Sequence, residues 1–187
     1  MTKPVDGPIT GRWADLRPRS APSRPHGGID IAASVGDAIV APEAGLVFYF
    51  RIRRQQKGQV WKWPLREGGR TLPWIAYAYD LYGAVTVLQS ADRARVHLFC
   101  HSYFRQLLDM TRGITWDYQE QPEDSEWPVE VAHTFAWPVS VLEGERIAAV
   151  GNQGESTGAH CHWEVHNGWA WSDYKDRPDP EKLLEEV

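Results

Sequence analysis

The chain has 187 residues, 42% of them hydrophobic and 24% charged, with a formal net charge of −5 at pH 7. That length suits one domain with its own core, and the negative balance gives no electrostatic basis for binding nucleic acid. No stretch approaches the roughly 18 apolar residues of a membrane span, MTKPVDGPITGRW lacks the apolar run of an export signal, and two cysteines are too few for a disulfide framework. A soluble chain held together by packing is expected.

Short β-branched and aromatic runs broken by Gly and Pro predict strands over 28–32, 38–40, 45–51, 84–89, 95–100, 146–150 and 161–165. The pair AVTVLQ and RVHLFCH, joined by five polar residues, reads as an antiparallel hairpin. Helix signals are few: 103–110, and a closing PEKLLEEV with Asp179 as N-cap and Pro180 in the first position. Two segments exceed ordinary loops: 53–79, basic with three Trp, and 107–137, acidic with three more. The fold class is therefore all-β, a predominantly antiparallel sheet forming a groove, with two long inserts and a short C-terminal helix.

The chemistry concentrates in GNQGESTGAHCHWEV. In a strand, residues two apart share a side, so His160 and His162 face one surface while Cys161 and Trp163 face the other. An isolated H-x-H is as often a pair of ordinary imidazoles as a site, so further donors are needed. In RPHGGIDIAA, His26 and Asp30 lie four apart in an extended segment, and the glycines between them permit a close backbone approach. Imidazole, carboxylate and imidazole suit Zn²⁺, and three protein ligands leave a fourth position open, the mark of a catalytic rather than a structural site. His97, Phe99 and His101 alternate onto one face of another predicted strand, offering a second imidazole for acid–base work.

HGGID, FCHS and GESTGAHCHWEV, in that order, resemble the H-x-x-x-D, Y-x-H and S-T-G-x-H-x-H-[FW]-E-V elements of the lysostaphin-type zinc endopeptidases, which cut peptide cross-links in bacterial peptidoglycan. GDAIVAPEAGLV, LEGERIAAVGNQG and PDPEKLL resemble that family's hairpin, its approach to the H-x-H strand and its closing segment. The resemblance implies His26, Asp30 and His162 as zinc ligands and His101 and His160 as the catalytic pair. Two departures, Ser102 and Cys161 in place of leucine, touch no ligand. His97 in VHL competes with His101, which is preferred because Phe99 stands where the family has tyrosine.

The implied function is zinc-dependent hydrolysis of peptidoglycan peptides at the bacterial wall by a monomer with no membrane insertion. Without an export signal, a phage lysin or virion-borne hydrolase is expected. Its rivals are a non-catalytic wall-binding or hydrolase-activating relative and a stem-peptide carboxypeptidase. Glu164 shares the His162 face and is read as a salt bridge at the strand's end, or as support for the metal ligand or a base. Cys100 and Cys161 are expected as buried thiols pointing away from the metal. His133 and His166 are expected at the surface without a role, and Trp163, Trp169 and Trp171 in packing. Trp residues 61, 63, 74, 116, 127 and 137 divide between packing and a substrate groove, and RIRRQQK reads as a solvated face.

Overall fold

The computed structural model describes residues 1–16, 25–52, 66–67, 70–71, 85–103, 108–110, 113–115, 131–133, 139–152, 156–168 and 176–186. Its strands are β1 Ile9–Gly11, β2 Ile29–Ala32, β3 Ala38–Val40, β4 Gly45–Ile52, β5 Arg66–Glu67, β6 Arg70–Thr71, β7 Val85–Ser90 and β8 Val96–Cys100, then β9 Ser102–Tyr103, β10 Leu108–Met110, β11 Gly113–Thr115, β12 Val131–His133, β13 Val139–Val141, β14 Arg146–Val150 and β15 His160–His166. The helix α1 spans Pro180–Glu185.

The main sheet runs β1-β2-β15-β8-β7-β4-β12, with β13 also paired to β4, and each of these pairs is antiparallel. A smaller sheet, β3-β14-β9, lies alongside, and β5-β6 and β10-β11 are two-stranded ribbons. The all-β, mainly antiparallel architecture expected from the sequence is the one observed.

The predicted hairpin is β7–β8. Its link is held by Asp92, whose carboxylate accepts from the Ala94 amide at 2.9 Å and from the Ser90 hydroxyl at 2.5 Å, while Arg93 takes a left-handed φ of 62°. At the C-terminus Asp179 accepts from the Glu181 amide at 3.0 Å and Pro180 opens α1, as its sequence predicts.

The helix expected over 103–110 does not form where the chain is described. Ser102–Tyr103 pairs with β14, and Leu108–Met110 pairs with Gly113–Thr115. A short apolar run has no periodicity of its own to decide between helix and strand, and here the backbone amides are taken up by ladders. Most of the two inserts, with Trp residues 61, 63, 74, 116, 127 and 137, and also Trp169 and Trp171, lie outside the described residues.

Between the two sheets Ile29, Ile31, Phe99, Trp163 and Val165 pack on Ile39, Ile147 and Val150. Trp163 and Phe99 are among the largest fully buried side chains, and burying each contributes roughly 1.5–3 kcal/mol. This layer fixes the strands whose opposite face carries the site. No helix among the described residues is long and apolar enough to cross a membrane.

Candidate metal centre

Asp30 and His162 are directly opposed across β2 and β15. Opposed residues in an antiparallel pair project to the same side, so the register alone brings carboxylate and imidazole together. The His162 Nδ1 atom lies 2.8 Å from Asp30 Oδ1. His26 arrives from the loop before β2, pinned on both sides: its amide donates to Asp15 O at 2.9 Å and its carbonyl accepts from Ala14 N at 2.9 Å. Its Nδ1–H donates to Arg12 O at 2.8 Å, which leaves the Nε2 lone pair 3.2 Å from Asp30 Oδ1 and 2.9 Å from His162 Nδ1.

One ligand atom from each of His26, Asp30 and His162 thus lies within 4.8 Å of the others, all three residues being buried. Two imidazole nitrogens and one carboxylate oxygen fit Zn²⁺ in donor type and number, with a coordination position to spare. Burial would raise the Asp30 carboxyl, but the His162 and His26 imidazoles beside it outweigh burial and hold the carboxyl far below its usual range. Burial would lower the His162 imidazole, but hydrogen bonds to Asp30 and Glu164 push it up to about 9.

Glu164 forms the salt bridge read from the sequence, with Arg177, and it is buried. Its Oε1 accepts from His162 Nε2 at 2.9 Å, and its Oε2 accepts from His166 Nε2 at 2.9 Å and from Arg177 Nη1 at 2.7 Å. Burial, which would raise this carboxyl, is outweighed by these partners, and it stays ionised well below the ordinary range. His166, expected at the surface, is instead fully buried against it. His166 continues the two-residue period of His162 and Glu164, a signal present in the sequence. Arg177 has no such signal, because only the fold carries 177 back to 164.

His160 stands beside the donors. Its Nδ1–H donates to Gly158 O at 2.8 Å, with Ser156 Oγ at 3.1 Å, so the basic Nε2 faces Asp30 Oδ1 at 3.8 Å. The His101 ring lies 4.6 Å from that of His160 and 6.2 Å from that of His162, centroid to centroid. All five histidine and aspartate positions singled out in the sequence therefore meet on one side of the sheet.

The route by which His101 gets there differs from simple alternation. His97 and Phe99 face the core, where their rings stack with Trp163 at centroid distances of 5.9 and 6.5 Å. His101 would follow them, but its φ of 57° is left-handed and turns its ring to the opposite side. The same break corrects the reading of the cysteines. Cys161 packs in the core, whereas Cys100 is opposed to His162 and so lies on the metal side. Both are free, buried thiols, with burial pushing each upward from its ordinary value.

His97 is excluded from the site by its partners. Its Nε2–H donates to Glu43 Oε1 at 2.6 Å, and its Nδ1 accepts from Trp163 Nε1 at 3.2 Å. Burial lowers its pKa, so it stays neutral and structural. The His133 side chain lies outside the described residues.

The all-β, mainly antiparallel architecture is that of the lysostaphin-type fold. The chain superposes on the catalytic domain of the antimicrobial peptidase lysostaphin from Staphylococcus simulans with a TM-score of 0.56 at 15% identity, over 96% of this chain and 93% of that one. LytU superposes with a TM-score of 0.54 at 18% identity, over 95% and 84%. No family model matches the chain, and no curated protein matches it in sequence.

Proposed function

We propose that the chain is a zinc-dependent endopeptidase that hydrolyses peptide cross-links of bacterial peptidoglycan. The observation that carries this reading is the convergence of His26, Asp30 and His162 within 4.8 Å, with the His101 and His160 rings beside them. The likeness in fold to lysostaphin, itself described as an antimicrobial peptidase, supports the substrate class.

His26 Nε2, Asp30 Oδ1 and His162 Nδ1 are the atoms that would hold the ion. Bound zinc would supply Lewis acidity at its open position, polarising a scissile carbonyl and lowering the pKa of water to about 7. His160 has one nitrogen committed to Gly158 O, so Nε2 is the atom that takes the proton from the attacking water and returns it to the departing amine. His101, whose ring lies 4.6 Å from that of His160, donates to the developing oxyanion.

Metal analysis of the purified protein, followed by muropeptide mass spectrometry, tests the reading. The unaltered chain is expected to release cross-link fragments, His162→Ala to lose both zinc and cleavage, and His160→Ala to lose cleavage alone. Identical products from the unaltered chain and both variants refute it. Zinc binding without any cleavage favours a non-catalytic wall-binding module.

A further inference from the structure

The buried group behind His162 has more structure than a metal ligand needs. We propose that Glu164, clamped by Arg177 and His166, is a positioning residue for zinc: it accepts a hydrogen bond from the Nε2–H of His162 and so presents Nδ1 to the ion. The proposal rests on the metal reading above and names the residues that tune it.

Three donors converge on one carboxylate that is almost wholly inaccessible: His162 and His166 at 2.9 Å and Arg177 at 2.7 Å. A carboxylate on the distal N–H of a ligating imidazole fixes its tautomer and ring angle and makes the other nitrogen more basic. A carboxylate left unpaired at this depth would carry a large desolvation penalty, and the guanidinium on Oε2 offsets it.

The glycines of HGGID supply an independent observation. A Cβ on Gly27 would stand 2.6 Å from Arg177 Nη1 and 3.1 Å from Glu164 Oε1, and one on Gly28 would stand 2.9 Å from Glu164 Cγ. The loop that carries His26 therefore rests directly on the clamp. Its close approach is to Glu164 and Arg177. The C-terminal segment delivers Arg177, anchored by the Asn167 side-chain amide donating to Asp176 O at 3.0 Å. One buried carboxylate thus sets the angle of one ligand and supports the loop of another.

The test measures zinc affinity of the full chain by chelator competition, with Co²⁺ absorption as a report on ligand geometry. Glu164→Gln keeps the shape and removes the charge, and it is expected to weaken zinc binding about 10- to 100-fold and to shift the Co²⁺ bands. Leu88→Ala, a core truncation that leaves the imidazole untouched, shows what lost stability alone does to affinity. The proposal is overturned if Glu164→Gln binds zinc no more weakly than Leu88→Ala. Should Glu164→Gln not fold, the unaltered chain loaded with ¹¹³Cd decides: coupling of the metal to His162 Nδ1 beside an exchange-protected Nε2–H supports the proposal, and coupling to Nε2 overturns it. An unaltered chain that takes up no zinc overturns the metal reading itself, a different result from equal binding by chain and variant.

Discussion

Zinc uptake by this chain is expected to be a proton exchange, and its pH dependence follows from the surroundings of one ring. Without metal, His162 sits between Asp30 and Glu164, at 2.8 and 2.9 Å, and keeps its proton up to about 9 because these hydrogen bonds outweigh the cost of burial. Zinc needs the Nδ1 lone pair, so below that pH each ion must displace a proton. At pH 7, roughly two units lower, the apparent affinity is about 100-fold below its plateau, or ~2.7 kcal/mol, and about one proton is released per zinc. Affinity rises about tenfold per pH unit and levels off near 9. The metal-free fold responds in the opposite sense. A raised imidazole pKa stabilises the protein fully below the ordinary value of 6.5 and ceases to do so as pH climbs through about 9, a loss of roughly 3 kcal/mol. Calorimetry in buffers of different ionisation enthalpy counts the protons, chelator competition from pH 6.5 to 9.5 gives the slope, and melting of metal-free protein gives the stability arm. Zinc binding at pH 7 without proton release, or an affinity flat between pH 7 and 9, refutes the reasoning.

His160→Ala is expected to keep zinc affinity within a few-fold while turnover of peptidoglycan falls by about 10²–10⁴, the usual contribution of a general base; parallel loss of metal and activity would place His160 among the ligands. Gly28→Ala puts a Cβ 2.2 Å from the Trp163 carbonyl oxygen, a backbone atom that cannot step aside, whereas at Gly27 the nearest obstacle is the movable end of Arg177. Gly28→Ala therefore costs about 3 kcal/mol and Gly27→Ala distinctly less, a ranking that urea denaturation reads directly. Glu43 is held down to about 2 because hydrogen bonds from Arg95 and His97 outweigh the upward effect of burial. Its stabilisation is present above the ordinary 4.5 and is lost as pH falls through about 2, so Glu43→Gln flattens the acid limb of the stability curve, and an unchanged slope counts against the ion pair.

Much of this was legible in the chain because strands carry a period of two. The strand positions, the hairpin link and the face shared by His160 and His162 all follow from alternation, and the segment resemblance added which residues play which part. Alternation failed at one residue. His101, at φ 57°, resets the parity after Cys100, so His97 and Phe99 point into the core and Cys100 does not. Nothing in VHLFCHSYF announces that turn, since it is imposed where β8 of the large sheet gives way to β9 of the small one. The same holds for Arg177: a cation in RPDPEK has no local mark of burial, and its value lies in a carboxylate thirteen positions earlier. Features fixed by neighbours in sequence could be read, and features fixed by neighbours in space could not.

The arrangement of β15 ties the stability of the fold to the geometry of the site. One face carries, in strict alternation, His160 and His162, the proposed base and the proposed ligand, then Glu164, bonded to His162, and His166, bonded to Glu164. The other face buries Cys161, Trp163 and Val165 in the core. A slip of one residue would exchange the faces, placing three imidazoles and a carboxylate in hydrocarbon, so the packing that stabilises the sheet also forbids any misregister of the ligands. The Trp163 indole adds a lateral stop, its N–H fixed on His97, which is fixed on Glu43, which Arg95 holds at 2.6 Å. The metal face can therefore concentrate buried charge, at a cost that β15 could not bear alone, because the reverse face leaves the strand no alternative position.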